Sequence, residues 1–183
     1  MNKNFKTEEV KIINIINWCI KKWHRYNIRK FIKKYTKNRI INTPILDAGC
    51  GYRSNYNEVR LQPYHTLDLC VDLNPTFIGD VTDMNMIKDE TYQTVIVTEV
   101  LEHVFDYKGA LKECYRVLRK GGCLITTTPF WTAIHEKEYQ KDYWRFTPRT
   151  LKRIFSDVGF KDIEVETAGR KLKPLVITVR GIK

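Results

Sequence analysis

Residues 45–51 read Ile-Leu-Asp-Ala-Gly-Cys-Gly. A short apolar strand ends in a carboxylate, and two glycines one residue apart follow it. Glycine takes left-handed backbone angles without strain and carries no Cβ to hold a ligand away. The pattern predicts a strand, a tight turn and a helix start whose backbone N–H groups face a bound group. Alone, it fits a dinucleotide, a nucleoside or a plain strand-to-helix turn.

Beyond Pro44 the apolar pattern alternates between strand and helix. Strands are expected at His65–Leu69, Thr76–Gly79, Thr94–Thr98 and Cys123–Thr128. Thr94–Thr98 is β-branched and apolar at its centre, as suits a strand buried on both faces. A helix is expected over 109–119, with Leu111, Cys114, Tyr115 and Leu118 inward and Gly121-Gly122 as its stop. Thr147 followed by Pro148 reads as a helix cap and first turn, with Leu151, Ile154, Phe155 and Val158 inward and Gly159 at the end. Two final strands, near 162–167 and 175–179, form a hairpin or lie close together. Such alternation predicts an α/β fold with a parallel sheet wrapped by helices.

In such sheets ligands sit beyond the carboxyl ends of the strands. The first strand brings Asp47, Gly49 and Gly51 to that edge. The second brings Asp68, 21 residues after Asp47, where an acidic residue suits a ribose diol. Asp72 competes for that role. The third strand brings Asp80 toward a purine amino group, and the fourth brings Thr98, Glu99, Glu102 and His103. One nucleoside-containing ligand spans all four ends. A nicotinamide dinucleotide fits poorly, because the run from Gly49 is Gly-Cys-Gly-Tyr-Arg-Ser and lacks the third small residue that pyrophosphate binding wants.

These residues resemble the class I S-adenosylmethionine-dependent methyltransferases of the broad small-molecule group. ILDAGCG is similar to the family's first motif, HTLDL to the second and FIGD to the third. TVIVTEVLEHV followed by ECYRVLRKGGCLITTTPF resembles the strand–helix–strand block of that group. The likeness covers roughly residues 44–160. The segment from His135 to Phe160, with DYWRFT, resembles a subgroup found among enzymes of cell-surface and polysaccharide biosynthesis. The resemblance implies a Rossmann-like doubly wound sheet of about seven mostly parallel strands with helices on both faces. It also implies S-adenosyl-L-methionine as cofactor. Asp47, Gly49 and Gly51 would then line its methionine end, and Asp68 with Leu69 its ribose. Asp80 and Val81 would meet the adenine, and Thr98 and Glu99 the sulfonium or amino-acid portion. Two departures stand out: Arg53 replaces the third glycine, and Gln93 replaces an acidic residue before the fourth strand.

Transfer from a sulfonium mostly needs positioning. An oxygen acceptor must also lose a proton, a task suited to a histidine. His135 and His103 are the expected catalytic residues. The helix-start pair Glu102 and His103 has a purely structural reading too, as does a packed aromatic segment at Asp142, Tyr143, Trp144 and Arg145 with an internal ion pair. The expected acceptor is a small molecule, or one carried on a saccharide or lipid.

Length and composition suit one domain with a real core: 183 residues, 43% of them hydrophobic. No apolar run of about 18 residues offers a membrane span, and no small-residue cleavage site follows residues 12–20, so no signal peptide is expected. The five cysteines are odd in number and form no Cys-x-x-Cys pair, which predicts a reduced, cytoplasmic setting and no metal site. The formal charge of +11 is concentrated at one end. Residues 1–43 hold 12 Lys/Arg against 2 Asp/Glu, and the remaining 140 hold 20 against 19. The N-terminal arm, 1–43, therefore reads as a basic amphipathic helix packed on a methyltransferase domain spanning 44–183, with Ile12, Ile16, Cys19, Trp23, Ile28, Phe31 or Ile32, and Tyr35 as its inward stripe. Its basic face is a solvated surface, or a site for an anionic membrane or a nucleic acid. Two rival functions follow: a nucleic-acid methyltransferase using that arm, and a non-catalytic binding module motivated by Arg53. Against the first, Thr98-Glu99-Val100-Leu101 is unlike the Asn/Asp-Pro-Pro-Tyr run of amino-directed adenine enzymes.

Overall fold

A computed structural model describes residues 3–134, 141–170 and 173–183, without the side chains of residues 3–17, 21 and 53. The elements run α1 (Lys3–Lys37), β1 (Ile45–Ala48), α2 (Tyr56–Val59), β2 (Tyr64–Asp68), β3 (Phe77–Ile78), β4 (Tyr92–Thr98), α3 (Tyr107–Val117), β5 (Leu118–Pro129), α4 (Pro148–Val158), β6 (Lys161–Arg170) and β7 (Lys173–Ile182). The seven strands form one sheet in the order β3-β2-β1-β4-β5-β7-β6. The first five are parallel along that order, and β7 pairs antiparallel with both β5 and β6. This is the expected Rossmann-like sheet, with the order reversing between β1 and β4.

Strand alternation divides the core in two. Leu46, Ala48, Val95, Val97, Leu124, Ile177 and Val179 pack with Leu111, Cys114, Leu151 and Phe155 of α3 and α4. Ile45, Ile96, Ile125 and Val176 face the other way and meet Ile28, Phe31, Ile32 and Tyr35 of α1. The C-terminal half of α1 is thus one wall of the core. Only 15 residues separate β1 from β2, and they hold no helix longer than the four-residue α2. That short crossover leaves sheet surface uncovered, and α1 covers it.

The expected inward stripe of α1 holds from Ile28 onward and fails at Cys19 and Trp23. Cys19 and Trp23 are exposed, and Ile12 and Ile16 lie outside the described side chains. The reason is position along the sheet. Asn42, just past the helix, hydrogen-bonds Thr94 near the start of β4, whereas His24 reaches Glu99 just past its end. The helix runs antiparallel to β4, so Cys19 and Trp23 lie past the end of that strand, where they are exposed.

A second expectation also changes. Helix α3 ends at Val117, and Gly121 and Gly122 do not stop it. Leu118 already pairs with Tyr92, and the register shifts between Tyr92 and Thr94. Gly121, at φ +72, and Gly122, where a Cβ would lie 2.7 Å from the Arg119 carbonyl, make the bulge inside β5. The capping at α4 is as expected: Thr147 Oγ1 accepts from the Thr150 N–H, Pro148 opens the helix and Gly159 closes it in the left-handed region.

Candidate active site

The carboxyl edge of β1 carries the glycine turn. Gly49 and Gly51 sit at φ +71 and +53. At Gly49 an added Cβ would lie 2.4 Å from Val100 Cγ2, so glycine there lets the turn pack against the end of β4. At Gly51 an added Cβ would meet nothing within 4 Å, so its backbone faces open space.

Asp47 does not face that space. It is fully buried, and its carboxylate accepts from Ser54 Oγ, the Asn55 N–H, Asn55 Nδ2 and the Tyr64 hydroxyl at 2.7–3.1 Å. Burial pushes its pKa up, and the four donors oppose that. The sequence reading set Asp47 against the methionine end of a ligand. In the structure its lone pairs close the 51–56 segment onto the sheet. Asn55 extends the network by donating from Nδ2 to Thr98 Oγ1 at 3.0 Å.

Asp68, at the end of β2, accepts from the Gly51 N–H on Oδ2 and the Cys70 N–H on Oδ1, at 2.8 and 2.9 Å. Each oxygen retains acceptor capacity, enough for two vicinal hydroxyls. Leu69 and Val71 beside it are exposed apolar side chains. Asp72, the rival, is also exposed and follows in a short helical turn. Asp80 is exposed, and its Oδ1 accepts from the N–H and hydroxyl of Thr82, while Val81 is buried.

Beyond β4 lies a cluster of buried charge. Glu99 has φ +57, a rare angle for a residue other than glycine. Its Oε1 accepts from Thr127 Oγ1 at 2.9 Å, and its Oε2 lies 3.2 Å from His24 Nε2 of α1. Burial pushes its pKa up to about 7, while the Thr127 hydrogen bond and the charges of Arg25 and Arg145 pull it down. Glu102 is fully buried, and neither of its carboxylate oxygens has a hydrogen-bond partner among the described residues. Burial, then the charge of Glu99, raises its pKa well above the usual range. His103 Nδ1 is 2.7 Å from the Lys141 carbonyl, and its Nε2 is 3.7 Å from Glu102 Oε1.

Asp142 and Arg145 form the internal ion pair that sequence allowed. Their segment docks through the N–H groups of Tyr143 and Trp144 on the Glu102 carbonyl, and through Trp144 Nε1 on the Val104 carbonyl. Phe105, Tyr143 and Trp131 remain exposed. His135 lies outside the described residues. His24 was missed by sequence reading, since a lone histidine on a basic helix carries no spacing signal toward a strand 70 residues later. Among the described residues, no group of His, Cys, Asp and Glu is arranged to hold a metal ion.

A family model for the methyltransferase domain matches residues 20–165. The chain belongs to that family. Its domain is an S-adenosylmethionine-dependent methyltransferase domain. The open backbone at Gly51 and the free acceptor capacity of Asp68 leave room for a ligand bearing a hydroxyl pair at this edge. Among curated relatives, 2-methyl-6-phytyl-1,4-hydroquinone methyltransferase 2 of Oryza sativa subsp. japonica is 30% identical over 51% of this chain and 27% of its own. A thiol S-methyltransferase of Mus musculus is 28% identical over 53% of this chain and 45% of its own. The chain thus spans less than half the length of either. In fold, it is similar to 1,6-didemethyltoxoflavin-N1-methyltransferase of Burkholderia thailandensis, at 13% identity and a TM-score of 0.67, covering 100% of this chain and 91% of that one. The match begins at residue 20 and so includes residues 20–37 of α1, among them the core residues Ile28, Phe31, Ile32 and Tyr35.

Proposed function

We propose that this methyltransferase domain modifies a small-molecule or carrier-linked acceptor, with a saccharide or lipid carrier, in the cytoplasm. The observation that carries this reading is the pairing of an open glycine turn and Asp68 with the Glu99 carboxyl just past the end of β4, where it meets Thr127 and His24. When bound, S-adenosylmethionine supplies an electrophilic methyl group on a sulfonium. Asp68 with Leu69 would hold the ribose, Gly49, Gly51, Thr98 and Glu99 would border the amino-acid and sulfonium end, and Asp80 and Val81 would border the adenine. Asp47 supports the turn from beneath.

The acceptor's proton needs a base that is free of it near neutral pH. Glu99 suits this, since burial pushes its pKa up to about 7 and its Oε2 lies 3.2 Å from His24 Nε2. Sequence pointed to His103 and His135. The contacts of His103 with the Lys141 carbonyl and Glu102 favour a positioning role for it, holding the 141–146 segment. His135 stays a candidate base. Exposed rings at Phe105, Tyr143 and Trp131 suit an acceptor with an apolar body. The resemblance of the DYWRFT segment to cell-surface biosynthesis enzymes supports a carrier-linked one.

Calorimetry with S-adenosylhomocysteine tests the cofactor assignment. Binding is expected for the wild-type chain and at least tenfold weaker binding for Asp68→Ala, about the loss of one charged hydrogen bond. No heat and no thermal shift with the wild-type chain would favour a non-catalytic module instead.

A further inference from the structure

Helix α1 has an outward face that the methyltransferase core does not use. Residues 10–46 contain no Asp or Glu. Along the outward side, Trp18, Trp23 and Tyr26 are 57%, 48% and 61% exposed. Lys22, Lys30, Lys33 and Lys37 are exposed on the same side, and Lys22 Nζ lies 3.8 Å from the centre of the Trp18 ring. Nearby cations are already matched: Arg29 with Glu58 and Lys34 with Glu166. No ion pair joins Lys22, Lys30, Lys33 or Lys37 to a carboxylate among the described residues.

We infer that this face docks the protein on an anionic lipid surface. Three large amphipathic rings beside four lysines, with no carboxylate among them, are complementary to a negative headgroup layer over an apolar interior. Aromatic rings of this kind settle at the level of the headgroups. The shape also selects a plane. These rings lie on the exposed side of one helix, whereas single-stranded nucleic acid is tracked by a basic groove with stacking rings along it. No helix among the described residues is long and apolar enough to cross a membrane, so contact is confined to the interface.

Docking also has a consequence for the site. Next along the same helix, His24 reaches Glu99, and Arg25 and Arg29 line a cleft of ≈ 370 Å³ with Tyr52, Ser54 and Tyr56. A helix lying on the bilayer would bring that cleft to the membrane, where a lipid-borne acceptor is found. This last link rests on the methyl-transfer reading; the docking itself does not.

Vesicle co-sedimentation of the full chain, without cofactor or acceptor, tests the docking. Binding is expected to phosphatidylglycerol–phosphatidylcholine vesicles and not to phosphatidylcholine alone. At roughly fivefold per lysine near such a surface, Lys30→Glu/Lys33→Glu/Lys37→Glu should weaken partitioning by at least about 100-fold. Trp23→Ser/Tyr26→Ser should weaken it about tenfold or more, and brominated lipid should quench tryptophan emission in the wild-type chain. All five side chains are exposed, so both variants should keep the wild-type Tm, which is measured alongside. Failure to bind anionic vesicles, or equal binding to neutral ones, overturns the proposal. So does tighter binding to a single-stranded RNA that survives the aromatic substitutions, which would move the face to the nucleic-acid reading. Binding of S-adenosylhomocysteine is scored separately, so a failed docking and a failed cofactor site are distinguishable.

Discussion

Replacing Glu99 with Gln should change how the stability of this protein depends on pH. Glu99 is held by Thr127 Oγ1 on one oxygen and lies 3.2 Å from His24 Nε2 on the other, with 20% of its side chain exposed. Burial is the leading cause that raises its pKa from 4.5 to about 7. At 1.36 kcal/mol per unit, a shift of that size corresponds to about 3 kcal/mol. The folded protein keeps a proton that the unfolded chain releases. Its contribution to stability is therefore full below about pH 4.5, falls as pH rises toward 7, and is absent above that. Glutamine has the same shape, still offers an oxygen to the Thr127 hydroxyl and does not ionise. Urea unfolding of the two proteins between pH 5 and pH 8.5 measures the difference. The Gln variant should gain on the wild type by about 3 kcal/mol across that range. Parallel stability curves, agreeing within about 0.5 kcal/mol at every pH, would refute the claim that Glu99 holds a proton in the folded state.

Three further substitutions probe the frame around the site. Gly49→Ala should cost about 1–3 kcal/mol in urea unfolding, because the new Cβ meets Val100 Cγ2 and φ is positive; adding Val100→Ala should recover the steric part and leave the backbone part. Ile32→Ala, at a fully buried position between α1 and the sheet, should cost about 2–5 kcal/mol while unfolding stays a single transition; separate melting of the helix would contradict its place in the core. Tyr64→Phe removes one donor from the buried Asp47 carboxylate and should cost about 1–3 kcal/mol, with a Tm unchanged from wild type as the contrary result.

How far the residues spoke for themselves depended on the range of the interaction. Thr147, Pro148 and Gly159 bounded α4 correctly, because a cap is satisfied within one turn. The alternating apolar segments and the short βα spacing led to a parallel sheet for the same local reason. Gly121 and Gly122 misled, since their role depends on Leu118 pairing with Tyr92 across the sheet. Trp23 misled as well: periodicity assigns a face to every residue of a helix, but only the residues over the sheet have a core to face. Within the site, the placement of the glycine turn and of Asp68 at the strand ends was legible because backbone geometry ties it to fixed spacing. The role of Asp47 was not, because its four donors come from Ser54, Asn55 and Tyr64, which converge only once α2 and β2 are in place.

By itself, the sequence determined the sheet class, the glycine turn that begins with Gly49, the carboxylate of Asp68 21 residues after Asp47, and the charge stored in residues 1–43. Those features are local, or follow from chain order along a twisted sheet. The tertiary structure alone decided that His24 meets Glu99, that the Glu102 carboxylate is buried without a hydrogen-bond partner among the described residues, and that Trp18, Trp23 and Tyr26 of α1 face outward. The first and the last depend on where α1 crosses the end of β4. That crossing is set by helix–sheet packing between residues far apart in the chain, which neither periodicity nor spacing encodes.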